Sequence, residues 1–167
     1  AHRMRFPLQV FDAVRAAVPA SMPVGVRLSA TDWVEGGWDV AQSVAFVREL
    51  QARGLSFLHV SSGGVSQQQK IPIGPGYQVG LAEQLKRETG APTIAVGLIT
   101  EAQQAEAIVA SGQADLVVMG RARLADPDFV AKVSTGREDD VVYCICLLYT
   151  SDAADDMQCV DPGGSRI

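Results

Sequence analysis

The sequence has no cysteine before residue 144, no long hydrophobic run and no excess of positive charge. Because all three cysteines lie near the C-terminal end, disulfides do not stabilise the preceding part of the chain. Apolar runs such as Leu116–Met119 are far shorter than the roughly 20 residues that a membrane-spanning helix needs. The first residues do not show the pattern of a secretory signal peptide. We therefore expect a cytoplasmic protein without a membrane segment.

The charge is spread unevenly along the 167 residues, whose formal net charge of −5 argues against nucleic acid as a partner. Glu138–Ile167 holds seven acids and one base, whereas the preceding residues hold 12 acids and 13 bases. At 47% hydrophobic residues, the chain can form a buried core. We predict a folded body, residues 1–137, followed by an acidic tail, residues 138–167, that is non-native or disordered.

Within the body, short apolar segments with a period of two alternate with segments of helical periodicity. The predicted strands are Val24–Ser29, Phe57–Gly63, Thr93–Leu98 and Leu116–Arg121. The predicted helices lie around Leu8–Val18, Val40–Leu50, Leu81–Leu85, Ala105–Val109 and Pro127–Val133. Asp39 is the expected N-cap of the second helix, Thr100 with Gln103 forms an expected capping box for the fourth, and Gly90 ends the third.

Strands that alternate with helices at about 30 residues per unit predict a parallel sheet with right-handed crossovers. Two architectures fit this order: an open doubly wound sheet and part of a (β/α)8 barrel. No G-x-G-x-x-G motif follows the first strand, so a dinucleotide-binding sheet has no support. The positions assigned to the inner face are small or polar, which favours strands that line a site: Gly25, Ser61, Ala95 and Gly97. With four of the eight strands of a complete barrel, the sequence predicts half a TIM barrel.

Two features near the ends of the first two strands are candidate functional elements. Arg27 lies on the strand face opposite Val26 and Leu28. It either pairs with a nearby acid such as Asp32 or binds an anionic ligand group, because an unpaired buried charge is costly. The long loop Ser61–Gln78 follows the second strand, and loops of this length in compact domains are commonly functional, the alternative being a surface excursion.

Gly97 and the pair Gly120-Arg121 follow the last two strands, where barrels commonly bind the phosphate of a ligand near a helix N-terminus. Glycines expose backbone N–H groups to phosphate oxygens, and an arginine adds a forked, permanent charge. We therefore predict a phosphate site here. A lone strand histidine is usually packed, so we expect no catalytic role for His59. The body shows neither metal-ligand spacing nor a G-x-S-x-G nucleophile motif.

Five segments of the body have a distinctive sequence and occur in a fixed order. They are V-R-L-S-A-T-D-W-V-E-G-G-W-D (26–39), H-V-S-S-G-G (59–64), K-I-P-I-G-P-G-Y-Q (70–78), A-V-G-L-I-T (95–100) and M-G-R (119–121). Together they resemble the Old Yellow Enzyme family of NADH:flavin oxidoreductases, most closely its bacterial ene-reductase branch related to xenobiotic reductases. The match runs from Arg3 to Asp128 and corresponds to strands five to eight of the family's barrel, with their helices.

The resemblance implies FMN as cofactor, NADPH or NADH as hydride donor, and reduction of C=C bonds conjugated to a carbonyl in small enone-type substrates. It places Arg27 near the N1/C2 carbonyl edge of the flavin, and Gly97, Gly120 and Arg121 at the FMN phosphate. Ser61 matches a position close to the cofactor. For the full-length parent, the expectation is a homo-oligomer.

The catalytic groups of the family lie in the first half of its barrel, so we predict no catalytic residue in this chain. Half a barrel also leaves open sheet edges and an exposed apolar interior. We therefore expect no turnover by the chain alone, and weak FMN binding at best.

The tail departs from this branch of the family. From Ala125 onward the sequence resembles iron–sulfur-containing members of the superfamily, whose clusters need four thiolates. Cys144, Cys146 and Cys159 supply only three, at a different spacing, so we predict no cluster and no metal site. The segment after Cys146 changes character again. Our hypothesis is a translated non-coding or adaptor sequence joined to a truncated gene, and the alternative is a natural acidic tail.

Two other functions are compatible with the body. A non-catalytic phosphate-binding half barrel would dimerise to close the ring and would bind phosphate compounds without a preference for flavin. Another FMN or phosphate-ligand barrel, similar to dihydroorotate dehydrogenase or to an isomerase, would keep the glycine–arginine site. That second alternative gives no reason for the segment D-W-V-E-G-G-W at residues 32–38.

Overall fold

The computed structural model describes residues 2–143, so the three cysteines and the adaptor-like segment lie outside the described residues. The strands are β1 (Gly25–Ser29), β2 (Phe57–Ser61), β3 (Thr93–Ala95) and β4 (Leu116–Val117). The helices are α1 (Arg5–Ala17), α2 (Val40–Gln51), α3 (Val79–Thr89), α4 (Ala102–Ala110), α5 (Arg121–Ala125) and α6 (Phe129–Ser134). Short 3₁₀ turns cover His2–Met4 and Glu138–Asp140. None of these helices is long and apolar enough to span a bilayer.

The four strands form one parallel sheet whose spatial order equals the chain order, β1-β2-β3-β4. Each consecutive pair is joined by a helix: α2, α3 or α4. In a doubly wound sheet the strand order reverses at a switch point, whereas along a barrel wall each strand lies beside the preceding one. The described residues have the second arrangement. The predicted α/β class with a parallel sheet is therefore confirmed, and the assignment to barrel strands five to eight stays a prediction.

Capping residues define the ends of the second and third helices as predicted. The Asp39 carboxylate accepts a hydrogen bond from the backbone N–H of Gln42 (2.8 Å), and this bond satisfies a donor at the start of α2. Gly90 ends α3 with φ +69°, a left-handed conformation that glycine adopts without steric cost.

The predicted capping box at the start of α4 is wrong by one residue. Glu101, rather than Thr100, is the residue before the first turn, and its side chain makes no capping hydrogen bond. The backbone N–H of Thr100 donates to Oε1 of Gln104 (3.3 Å), not to Gln103. A one-residue shift of the helix start thus transfers the capping glutamine from position 103 to 104.

The last three strands are shorter than predicted, and β2 ends at Ser61 rather than at Gly63. β3 ends at Ala95 because Gly97 (φ +119°) and Leu98 (φ +52°) have positive φ angles, which a strand cannot contain. β4 ends at Val117, and Arg121 is the first residue of α5 rather than the last residue of a strand.

The sheet buries one face against the helices. Leu58, Val60 and Ala95 are fully buried there, together with Val47 and Leu50 of α2. Burying a Leu or Val side chain contributes about 1.5–3 kcal/mol, so this layer is the main source of stability. Ala95, which we expected on the inner face, therefore lies on the helix side.

The other face carries one row of side chains across all four strands. Arg27, His59, Ile94 and Leu116 are consecutive partners in the parallel register. In the described part of the chain this face is open, since Arg27 is exposed and Leu116 is 60% exposed. The period-two pattern of β1 thus placed Arg27 correctly on the face opposite Leu28.

The carboxylate of a partly buried ion pair attaches residues 141–142 to the helices before them. The Asp126 carboxylate accepts hydrogen bonds from Nζ of Lys132 (2.7 Å) and from the backbone N–H of Val142 (2.9 Å). Lys132 holds the pKa of Asp126 below its usual value, and the bond from Val142 lowers it further. These contacts join residues on both sides of position 137, and the predicted division of the chain at that point stays a prediction.

Candidate functional site

Arg27 occupies the centre of β1 on the open face of the sheet. Among residues 2–143, its guanidinium has no ion-pair or hydrogen-bond partner. Asp32, the acid considered as its partner, instead accepts a hydrogen bond from the backbone N–H of Trp38 (2.7 Å). The arginine is therefore a permanent cation that an anionic ligand group can reach.

His59 lies beside Arg27 on β2, as its partner in the register. Burial lowers the pKa of the His59 imidazole, and the Arg27 cation lowers it further. Its Nε2 atom is buried and has no hydrogen-bond partner in the described part of the chain. A lowered pKa favours the neutral imidazole at neutral pH.

Ser61 ends β2 on the same face as Arg27, in register with Ser29. It is half-buried, and its backbone carbonyl accepts a hydrogen bond from the N–H of Ala30 (2.8 Å). Its hydroxyl has no hydrogen-bond partner among residues 2–143 and so remains able to bind a ligand.

The loops after β1 and β2 pack on each other next to these strand ends. The backbone N–H of Gly63 donates to the carbonyl of Thr31 (2.8 Å), and the hydroxyl of Ser29 donates to the carbonyl of Gly63 (3.2 Å). Further along, the N–H of Lys70 donates to the carbonyl of Trp33 (3.2 Å). The distinctive tryptophan-containing segment thus has a structural role in holding the long second loop.

Gly97 and Gly120 follow neighbouring parallel strands, so both lie at the carboxyl end of the sheet. Gly97 is buried and has φ +119°, which strongly favours glycine. Gly120 differs, because its φ of −76° is open to any residue and a Cβ there would meet no atom within 4 Å. The space in front of Gly120 is therefore free for a ligand.

Arg121 begins α5 directly after Gly120 and is half-buried. As for Arg27, no acid or carbonyl of the described residues pairs with its guanidinium. The structure therefore brings Gly97, Gly120 and Arg121 to one edge of the sheet, and it places Arg27 and Ser61 on the adjoining open face. The Arg121 guanidinium, which has no counter-charge among residues 2–143 and lies beside a glycine with open space, fits a phosphate-bearing cofactor.

Gln78 was not predicted as a site residue from the sequence, yet it lies against Gly97. Gln78 is only 4% exposed, and its Oε1 accepts a hydrogen bond from the hydroxyl of Ser62 (2.9 Å). The only sequence feature that could have indicated Gln78 is its place in Gly-Tyr-Gln, immediately before a predicted helix. A polar residue at that point is unremarkable in sequence, and only the fold shows that it is buried.

Residues 1–140 match the NADH:flavin oxidoreductase / NADH oxidase family. An NADH oxidase from Thermoanaerobacter brockii is 36% identical over 148 residues, covering 86% of this chain and 23% of the relative. An NADPH dehydrogenase from Geobacillus thermodenitrificans is 43% identical over 126 residues, covering 75% of this chain and 36% of the relative. The chain thus spans between about a quarter and about a third of the length of these curated relatives.

Solved structures show the same fold. A 2-naphthoyl-CoA reductase complex superposes with a TM-score of 0.78 and 27% identity, covering 85% of this chain and 22% of the other. Morphinone reductase in complex with tetrahydroNAD gives a TM-score of 0.60 and 26% identity, covering 99% of this chain and 43% of the other. An old yellow enzyme from Trypanosoma cruzi gives a TM-score of 0.59 and 25% identity, covering 80% of this chain and 34% of the other.

Proposed function

We propose that this chain, which belongs to the NADH:flavin oxidoreductase / NADH oxidase family, supplies the FMN-binding portion of an enzyme that reduces C=C bonds conjugated to a carbonyl. Family membership implies FMN and NADPH or NADH as cofactors. The substrate class is proposed from the resemblance to ene-reductases, and a small enone is its simplest member. A cytoplasmic location and a homo-oligomeric parent stay predictions.

The proposal is supported most directly by the two arginines that have no partner among the described residues. In it, Arg121 binds the FMN phosphate together with the backbone at Gly97 and Gly120. Arg27 lies at the pyrimidine edge of the flavin ring, with Ser61 nearby. Arg121 would then have the anionic partner that residues 2–143 do not provide, and Arg27 would face a flavin edge that becomes negatively charged on reduction.

FMN, when bound, supplies the centre that takes a hydride from the nicotinamide and gives it to the substrate carbon. The residues of this chain contribute binding and electrostatics. The fixed cation of Arg27 would stabilise negative charge at the pyrimidine edge, and Arg121 would hold the phosphate through its guanidinium N–H groups. We assign no catalytic acid to this chain, and we expect the chain alone to show no turnover.

The phosphate contribution is tested by comparing FMN with riboflavin, which lacks the phosphate. Quenching of flavin fluorescence should show that the chain prefers FMN, and Arg121→Gln should reduce FMN affinity by about tenfold or more, since a charge-assisted hydrogen bond contributes about 1.5–3 kcal/mol. Riboflavin affinity should change little. Equal binding of FMN and riboflavin by the unmodified chain would contradict the phosphate assignment. Purification with stoichiometric flavin and enone-dependent NADPH oxidation would contradict the expected inactivity.

The second candidate function is a phosphate-binding half barrel that dimerises, and the exposed row on the open face favours it. Leu116, at 60% exposure, would be covered by a second copy. This function predicts a discrete dimer that binds simple phosphate compounds as well as FMN. Sedimentation velocity, combined with competition between FMN and ribose 5-phosphate, separates the two functions.

A further inference from the structure

Gln78 connects the ends of two neighbouring strands. It is the last residue before α3, and its side chain points back to the sheet, where Oε1 accepts a hydrogen bond from the Ser62 hydroxyl at 2.9 Å. On its other side it lies against Gly97, since a Cβ on Gly97 would be 2.8 Å from Nε2 and 3.1 Å from Cγ of Gln78. One buried amide side chain therefore contacts the residue that follows β2 and the glycine that follows β3.

The backbone of Gly97 is also held by the segment that carries Gln78. The N–H of Gly76 donates to the carbonyl of Gly97 at 2.8 Å. Gly97 has φ +119°, and Leu98 follows with φ +52°. A glycine can rotate away from such a conformation easily, because no side chain restricts it. Contacts from Gly76 and Gln78 on two sides restrict that rotation.

Neither helix capping nor core packing accounts for a buried glutamine at position 78. Its side chain makes no capping hydrogen bond to α3, so the helix does not depend on the amide. A buried polar group costs stability unless it is hydrogen-bonded, so packing alone would favour an apolar residue of the same length. We therefore infer that the hydrogen bond from Ser62 serves to hold the Gln78 side chain in one position against Gly97.

We propose that Gln78 is a positioning residue that fixes the Gly97 backbone in the orientation needed to receive the phosphate of FMN. The inference rests on the proposed function, which assigns Gly97 to that phosphate. Gln78 acts through Gly97 and does not itself have to touch the cofactor. The Ser62 hydroxyl holds the Gln78 amide and is the second member of the same arrangement.

The test compares the full chain with Gln78→Met, Ser62→Ala and the double variant. Met keeps the length of the side chain and removes the hydrogen bond, while Ser62→Ala removes the donor and leaves Gln78 in place. FMN and riboflavin affinities are measured by fluorescence quenching, and folding is checked by thermal unfolding. Loss of one hydrogen bond that orders the site should lower FMN affinity by about fivefold to tenfold in each single variant.

The expected result is specific to the phosphate end of the ligand. FMN affinity falls in both single variants, riboflavin affinity stays the same, and the double variant is no worse than Gln78→Met because both changes break one arrangement. If the unmodified chain does not prefer FMN to riboflavin, the proposed function fails and the inference fails with it. If that preference exists and survives in both single variants, the inference alone is wrong. A parallel loss of FMN and riboflavin affinity also overturns it.

Should Gln78→Met unfold, Ser62→Ala carries the test alone, because it keeps the buried glutamine and removes only the hydroxyl. A folded Ser62→Ala protein that retains the full preference for FMN would overturn the inference. Gln78→Glu adds a further readout, since it keeps the shape of the side chain and places a negative charge next to Gly97. It should weaken FMN binding more than Gln78→Met does, and riboflavin binding should be unaffected.

Discussion

Arg27 and His59 lie side by side on neighbouring parallel strands, and the arginine lowers the pKa of the histidine. Burial is the larger cause of the lowered pKa, and the cation is the second. Because the chain contains two histidines, a His2→Asn background leaves His59 as the single imidazole signal. The pair therefore provides a direct measurement of which sheet face Arg27 occupies.

The first prediction concerns this pair in the His2→Asn background. Arg27→Met should raise the pKa of His59, because it removes the neighbouring cation. The pKa should still remain below the usual value, since burial is unchanged. Arg27→Lys keeps the charge and is the matched control. In that variant the pKa of His59 should stay close to its value in the protein with Arg27. Titration by ¹⁵N–¹H NMR gives the values, and an identical pKa in the Met and Arg proteins would show that Arg27 does not face His59.

The second prediction is a pH dependence of stability that comes from His59. A histidine whose folded-state pKa is lowered stabilises the fold fully above its unfolded pKa of about 6.5, and that stability is lost as the pH falls from there through the folded pKa. The free energy of unfolding, measured in urea, should therefore fall as the pH drops below about 6.5. His59→Gln should flatten this part of the curve.

A second loss of stability should occur at lower pH and should persist in His59→Gln. Lys86 holds the pKa of Asp115 below its usual value, so that contribution is lost only as the pH falls below about 3.9. A curve that keeps its slope around pH 6 in His59→Gln would assign the upper transition to another group.

The extent to which the sequence predicted the fold depended on how local the determining interactions are. The period of two in β1 placed Arg27 and Leu28 on opposite faces, and Asp39 capped α2, because both features involve neighbours within a few residues. The predicted end of β3 lies three residues too late, because an apolar residue such as Leu98 gives no indication in the sequence that its φ is positive.

The candidate site was predicted in part for the same reason. Gly97, Gly120 and Arg121 could be placed at one end of the sheet because the carboxyl ends of parallel strands lie together, and their role in binding stays a prediction. The contact between Gln78 and Gly97 joins residues 19 positions apart, with α3 and β3 between them, so no local pattern indicates it. The pairing of Asp32 with Arg27 was an open alternative, and among residues 2–143 the structure shows the Asp32 carboxylate accepting a hydrogen bond from the Trp38 N–H instead.

The third prediction concerns the ion pair that attaches residues 141–142 to the helices. Lys132→Met removes the cation beside the buried Asp126 carboxylate, so the charge loses its partner and the pKa of Asp126 should rise. Thermal unfolding should occur several degrees lower, and a protease should cut near Val142 sooner. Lys132→Arg keeps the charge and should restore most of the loss. Unchanged melting and cleavage in Lys132→Met would mean that Asp126 is held by backbone donors alone.

The fourth prediction separates the two glycines of the proposed phosphate site. Gly97→Ala places a Cβ 2.8 Å from Nε2 of Gln78 at φ +119°, so it should destabilise the fold by about 1–3 kcal/mol. Gly120→Ala has a normal φ of −76° and open space, so its stability should change by no more than about 0.5 kcal/mol. Thermal and urea unfolding measure both values.

Flavin binding by the Gly120→Ala protein then tests whether the FMN phosphate occupies the open space next to Gly120. The added methyl group meets no atom of the described residues, so only a ligand that approaches the backbone closely can be affected by it. FMN affinity should fall by about tenfold, equivalent to about 1.4 kcal/mol, while riboflavin affinity stays the same. Gly74→Ala, another glycine whose Cβ would meet nothing within 4 Å, is the matched control and should leave FMN affinity unchanged. Full FMN affinity in a stable Gly120→Ala protein would show that the phosphate does not lie next to Gly120. The proposed contact between the phosphate and Arg121, the next residue, would then be contradicted as well.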